Sequence, residues 1–360
     1  MRIRHVAAAV AACACLAGAC SPGGLHASTA GGTGRLASPP SGQRQSAHPR
    51  QRPLPRTLYG VTADDVSDPR QLAAASQHLP KMPTTRLYFD VKQPPGSYAA
   101  AVAALRPVSY LMGELLDSSD ETRISVGVYD RRVRSYLAAF RDKIDLWEIG
   151  NEVNGNWTGP YPVVEAKLAV AYRDVSALGH RTALTLYYNL GCGDGAAELS
   201  PLAFSRRYVP PAVRAGLRYV FLSYYEDSCG GIRPTAAAWS GYFRALHALY
   251  PNARLGFGEV GMTNPVTTRT FAAAAAELRY YYALPIRLPY YTGGYFWWYY
   301  AEDCLPYQRK PLWRVLSSAF QAEAISQRRK MLKATGRAGQ PPTPPKKPGG
   351  VNASCSPGDQ

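Results

Sequence analysis

The chain has 360 residues and a formal net charge of +16, with 46% hydrophobic and 18% charged residues. That length suits one large α/β barrel or two ordinary domains. The charge is uneven: residues 1–56 hold seven Arg and no acid, residues 325–360 hold seven Lys or Arg against one Asp, and the stretch between is close to neutral. Basic flanks on a near-neutral core, without a basic stripe interleaved with aromatics, exclude a nucleic-acid partner, and blocks of like charge read as solvated tails.

The opening, MRIRHVAAAVAACACLAGACSPGG, has a short basic region, an apolar run and small residues. The run is too short to span a bilayer and reads as an export signal over 1–19. Ala17–Ala19 fits cleavage before Cys20. Cys20 followed by Ser21 resembles a bacterial lipoprotein acceptor, so lipidation at Cys20 and attachment to the cell membrane are expected, with secretion as the alternative. Residues 20–56, rich in Gly, Ser, Pro, Gln and Arg, offer little to bury and read as a flexible tether.

From 57 to 324, short apolar strands alternate with amphipathic helices. The patterning predicts strands at 57–61, 85–90, 108–113, 144–152, 182–189, 219–225, 254–261 and 293–300. Between them it predicts helices that include 68–79, 96–106, 163–178, 235–249, 268–284 and 311–320, several starting after Asp, Ser, Thr or Pro. Eight strand–helix units in this length are the count for a single (β/α)8 TIM barrel, which typically needs ~250 residues. A doubly wound sheet would want a Gly-rich phosphate loop after the first strand, and YGVTADD is not one. Residues 325–360, with the run GQPPTPPKKPGG, read as a basic, Pro-rich disordered tail.

Catalytic residues of such barrels gather at the C-terminal ends of strands. The fourth strand ends WEIGNE, with Glu148, Gly150 and Glu152 on one face by alternation. Facing the lumen, Glu148 would lie deep and Glu152 at the mouth, with Gly150 leaving room between them. A buried carboxylate needs a cation or hydrogen bonds, and Arg86 on the second strand is the expected partner of Glu148. Glu259, in LGFGEVG, ends the seventh strand in the same way. Two carboxylates across a cleft are the apparatus of glycoside hydrolysis.

WEIGNEVNG and GFGEVG together resemble the large clan of retaining (β/α)8 glycoside hydrolases, which carry Asn-Glu at the end of strand 4 and Glu at the end of strand 7. The likeness covers 57–324 in layout and the two strand-end motifs in letters. It implies Glu152 as acid/base and Glu259 as nucleophile. It further implies Asn151 as a contact of the sugar 2-hydroxyl, Arg86 as the arginine that keeps the nucleophile ionised, Tyr225 as its tyrosine partner on strand 6, and Trp298 as the strand-8 tryptophan beneath the sugar. Ser223 stands where the clan has the histidine of His-x-Tyr. Trp157 is a second candidate sugar-stacking residue among many mouth aromatics. Alternation allows only one of Trp297 and Trp298 to face the lumen.

Asp90, Glu114, Glu226 and Asp227 also lie at strand ends; each is placed to bind a sugar hydroxyl, but such acids are more often loop carboxylates or helix caps. Four cysteines follow Cys20. In the barrel, Cys192 and Cys229 fall on neighbouring loops and are expected to form a disulfide; Cys304 with Cys355 would pin the tail. No Cys or His cluster has metal-ligand spacing, so neither metal nor organic cofactor is expected. These readings describe an exported, monomeric glycoside hydrolase acting on a β-linked polysaccharide or glycoside at the cell surface. The rival is a carbohydrate- or cell-wall-binding protein on a barrel without catalysis.

Overall fold

The computed structural model describes residues 51–188, 192 and 199–334, with side chains as far as 322. The signal segment, Cys20, most of the expected tether and Cys355 lie outside the described residues. Eight parallel strands close on themselves in chain order: β1 (Leu58–Ala63), β2 (Thr84–Tyr88), β3 (Tyr110–Glu114), β4 (Leu146–Glu148), β5 (Thr182–Tyr187), β6 (Tyr219–Tyr224), β7 (Arg254–Val260) and β8 (Tyr291–Trp297). Around them run α1 (Pro69–Gln77), α2 (Ala99–Leu105), α3 (Val126–Phe140), α4 (Tyr161–Ala177), α5 (Pro201–Tyr208), α6 (Pro211–Gly216), α7 (Ala236–Leu249), α8 (Phe271–Tyr282), α9 (Tyr300–Cys304) and α10 (Pro311–Ala334). The fold is the expected (β/α)8 barrel. The patterning did not pick out α3, α5, α6 or α9. The last helix, α10, continues to Ala334, so the boundary placed at 324 falls inside it.

Local chemistry sets the helix starts. Asp68, Ser125, Ser200 and Thr235 each accept a backbone N–H of the first turn with their side chains, which satisfies donors the helix leaves orphaned. Alternation then sorts the strands. Leu58, Met112, Leu146, Ala183, Tyr219, Phe221 and Phe296 fill the lower lumen, while Val61, Leu87, Leu111, Trp147, Leu184, Leu222, Leu255 and Phe257 pack outward into the helix layer. Above the apolar plug, the same inward faces present Arg86, Glu114, Glu148, Thr185 and Ser223.

Residues read as the end of the tether belong to the barrel. Leu54 packs against the apolar plug, and Arg52 pairs with Asp145 at 2.5 Å while donating to the carbonyls of Arg106 and Ser109. Gln51 donates to Ile144 O. All of these partners precede β3 or β4, so residues 51–54 seal the floor, at the N-terminal ends of the strands. The composition of 20–56 conceals this because two polar side chains and one leucine make the contact.

Two irregularities aim the upper residues. On β7, Leu255 and Phe257 pack outward, so strict alternation would turn Glu259 outward as well. The register against β6 instead slips, with Leu222 opposite Phe257 and Ser223 opposite Glu259. The extra residue is Gly258, a β-bulge of the kind that re-aims side chains beside active sites. A Cβ there would lie 2.5 Å from Thr185 Oγ1 and 2.7 Å from Phe221 Cβ, both in the lumen. On β4, the expected alternation stops after Glu148. A Cβ on Gly150 would meet Val153 Cγ1 at 2.6 Å and Leu168 Cδ2 at 2.7 Å. Gly150 therefore makes room for α4 and not, as alternation suggested, between Glu148 and Glu152 in the lumen. Glu152 reaches the mouth through a left-handed backbone conformation, φ 47°, which is uncommon for a non-glycine residue.

Gly258→Val should force the lumen wall apart at Phe221. We expect a loss of about 1–3 kcal/mol of stability, read from the denaturant midpoint. Gly241→Ala on α7, where an added Cβ meets nothing, serves as the contrasting control and should stabilise by about 0.5–1 kcal/mol.

Candidate active site

Arg86 stands at the centre, fully buried on β2. Its Nε donates to Glu148 Oε2 at 2.7 Å, its Nη1 to Glu259 Oε2 at 2.7 Å, and its Nη2 lies 3.1 Å from Glu114 Oε1. One guanidinium thus faces three buried carboxyl groups from β3, β4 and β7. Arginine suits the post because its planar fork presents several donors in fixed directions. Its own pKa is held well above the usual value by those acids, so it stays charged. Glu148 also accepts from the Thr185 hydroxyl. Glu114, which the sequence grouped with loop carboxylates, lies instead in the lumen with no exposure. Burial lifts its pKa well above the ordinary range, and the charges of Glu148, Asp117 and Glu259 add to the rise against the pull of Arg86. Burial likewise raises Glu148. A dry lumen with one cation favours protons on its acids over several bare charges.

Glu259, the outermost of the three, and Glu152 keep different company. Glu259 is 4% exposed. It accepts from Arg86 and from the Tyr225 hydroxyl. Burial raises its pKa, and even against the pull of Arg86 and Tyr225 it stands at about 7. Among the described residues, no cation touches Glu152. Ser223 Oγ donates to its Oε1 at 2.5 Å and Ser118 Oγ to its Oε2 at 3.1 Å. Burial and the charge of Glu259 raise its pKa well above the ordinary range, and the two hydroxyls moderate the rise. The mouth therefore holds one carboxyl that is charge-stabilised and one that prefers its proton.

The other sequence-derived candidates fall in differing surroundings. Asn151, buried, donates to Asp117 Oδ2 at 3.4 Å. Trp298 lies over Arg86, with the guanidinium carbon 5.2 Å from a ring centroid, and meets Tyr88 edge-on at 5.9 Å. Trp297 points outward, its indole donating to Asp303 at 2.8 Å. Trp157 lies edge-on to Tyr187 at 5.0 Å. Cys192 and Cys229 are bonded, whereas Cys304 is buried as a free thiol. Asp90 caps a turn at Lys92 N, Glu226 pairs with Arg233 at 2.6 Å, and Asp227 accepts from Thr263 N. Among the described residues, no cluster of three or more His, Cys, Asp or Glu is arranged to hold a metal ion.

Ser223, singled out in the sequence for its position two residues before Tyr225, bonds Glu152 and not Glu259. Ser118 was not foreseen. It follows β3 in a loop whose letters carry no motif, and only the closed ring brings it to Glu152.

No protein-family model matches the chain, and no curated protein matches it. Solved structures do. A GH10 xylanase from Bispora sp. MEY-1 is 14% identical, with 72% of this chain and 95% of that one aligned at a TM-score of 0.49. A glucosidase from Croceicoccus marinus is 15% identical over 74% of this chain and 67% of that one, at a TM-score of 0.49. A GH5-4 broad-specificity endoglucanase from an uncultured bacterium is 12% identical over 74% and 94%, at a TM-score of 0.47. At these identities the likeness is one of fold.

Removing the shared cation tests the triad. Arg86→Met leaves three buried acids without a cation, and we expect a loss on the order of 3–5 kcal/mol. The orphaned carboxyls would have folded-state pKa values raised further above their unfolded value of 4.5. Stability conferred by a raised carboxyl is full below the unfolded value and falls as pH rises past it. Thermal melts should therefore show a smaller deficit at pH ~5 than at pH ~8; a deficit independent of pH would contradict the assignment.

Proposed function

We propose that the chain is a retaining glycoside hydrolase that cuts β-linked polysaccharides or glycosides by double displacement. One observation carries the reading: at the mouth, among the described residues, Glu259 is held by Arg86 and Tyr225 while Glu152 is held by the hydroxyls of Ser118 and Ser223. Charge stabilisation suits a nucleophile, and a raised pKa without a cation suits a general acid. In the first step a Glu259 oxygen attacks the anomeric carbon, the glycosidic C–O bond breaks, and Glu152 gives its proton to the departing oxygen. In the second, Glu152 takes a proton from water, the hydroxide attacks the same carbon, and Glu259 leaves as carboxylate. Asn151 would meet the 2-hydroxyl and Trp298 the ring face.

Ser118 and Ser223 suit both halves of the cycle. A hydroxyl donates to a carboxylate and accepts from a carboxylic acid, so each bond can reverse as Glu152 loses and regains its proton. We read the protein as acting outside the cell, exported through residues 1–19 and anchored at Cys20, as a monomer.

A screen of chromogenic β-glycosides and polysaccharides is the direct test. Glu259→Gln should abolish turnover. Glu152→Ala should lower it by about 10²–10⁴-fold, with azide restoring rate and giving a β-glycosyl azide. Sugar binding with no turnover by the wild type would favour a carbohydrate-binding barrel instead.

The pH profile tests the hydroxyl pair. kcat/KM should rise through about pH 7 as Glu259 ionises and fall at higher pH as Glu152 loses its proton. Ser223 lowers the pKa of Glu152, so Ser223→Ala should move the alkaline limb to higher pH and leave the acid limb in place. An unmoved alkaline limb would refute the role given to Ser223.

A further inference from the structure

Trp157 is one of the few large apolar side chains left open to solvent, 36% exposed, and its setting is built. Gly155 has ordinary backbone angles, φ −64° and ψ 145°, so the chain's path does not require glycine there. The indole does: a Cβ on Gly155 would lie 2.5–2.7 Å from three atoms of the Trp157 ring. Tyr187 braces the indole edge-on. It continues the inward face of β5 above Ala183 and Thr185, which places it at the mouth. Asn154 ties the two elements together, donating to Tyr187 O at 2.8 Å and accepting from Tyr187 N at 2.7 Å. Thr158 Oγ1 closes the turn beneath on Gly155 O at 2.8 Å.

The ring order of the barrel says which end of a substrate Trp157 serves. Strands β4 and β8 are four apart in either direction and so stand opposite one another. Trp298 follows β8, and the nucleophile Glu259 is on the adjacent β7. Trp157 follows β4, as Glu152 does. The sugar carbon that bonds to Glu259 belongs to the part of the substrate on the Trp298 side. The oxygen that Glu152 protonates belongs to the leaving group, on the Trp157 side.

We propose that Trp157, braced by Tyr187, is the seat of the leaving group, and that this leaving group is itself a sugar ring. The substrate is then an oligosaccharide or polysaccharide cut between a ring on Trp298 and a ring on Trp157. Flat, half-open indole faces suit the C–H face of a pyranose, which is wide and weakly polar. This rests on the glycosidase reading and narrows it.

The test compares substrates that differ only in the leaving group: β-glycosyl fluorides, whose fluoride has no ring to stack, and β-linked oligosaccharides of the same sugar, over gluco, xylo, manno and galacto series. Trp157→Leu keeps apolar bulk and removes the flat ring; Trp157→Phe restores a ring. With Trp157→Leu, kcat/KM on oligosaccharides should fall by about 10- to 100-fold and on fluorides stay within about twofold, fluoride turnover also reporting a folded site. Trp157→Phe should recover most of the loss. Equal losses on both substrates, or none on oligosaccharides, would overturn the proposal while leaving the glycosidase reading intact. A wild type that turns over neither class would overturn both.

Discussion

The site depends on one buried guanidinium. Arg86 reaches Glu114, Glu148 and Glu259 from three strands of the ring, and the cost of burying it without acids, or them without it, is several kcal/mol per charge. The three acids are therefore a condition of the arginine as much as the reverse. Because a guanidinium is planar, its position also fixes theirs. Glu259 is held toward the mouth by the same group that satisfies two residues too deep to meet a ligand. Structural and functional demands on this part of the barrel cannot be separated by position alone.

What differs between Glu259 and Glu152 is the kind of neighbour, not the degree of burial. Both are nearly inaccessible, and burial raises both. The cation and the tyrosine on one side, and the two serines on the other, pull them apart. Such divergence between paired carboxyls is how a single cleft supplies an acid and an anion at one pH.

Much of this was legible in the letters, and the rest failed for identifiable reasons. The alternation of apolar strands with amphipathic helices indicates a barrel, and Glu152 at the end of an apolar strand marks its mouth. Glu259 is more instructive. Period two, counted from Leu255 and Phe257, turns it outward, whereas its place at the end of an apolar strand and the resemblance to a known strand-7 motif put it at the mouth; the bulge at Gly258 reconciles the two. Gly150 was misread because alternation was carried past the end of β4. Ser118 could not have been found, since its contact with Glu152 exists only once β3 and β4 are side by side. Helix α3 escaped because the charged run Asp130, Arg131, Arg132 and Arg134 interrupts the anchors Tyr129, Val133, Tyr136, Leu137 and Phe140, which nevertheless line its buried face.

The seal formed by residues 51–54 has a mechanical side. The polypeptide arrives at the pole opposite the cleft, where Arg52 is clamped to Asp145 and Leu54 is lodged against the apolar plug. A pull transmitted along the incoming chain would be resisted there first, with the full depth of the plug between the strained junction and the two glutamates. Tension could loosen the base of the barrel well before it disturbed the spacing of the groups at the rim.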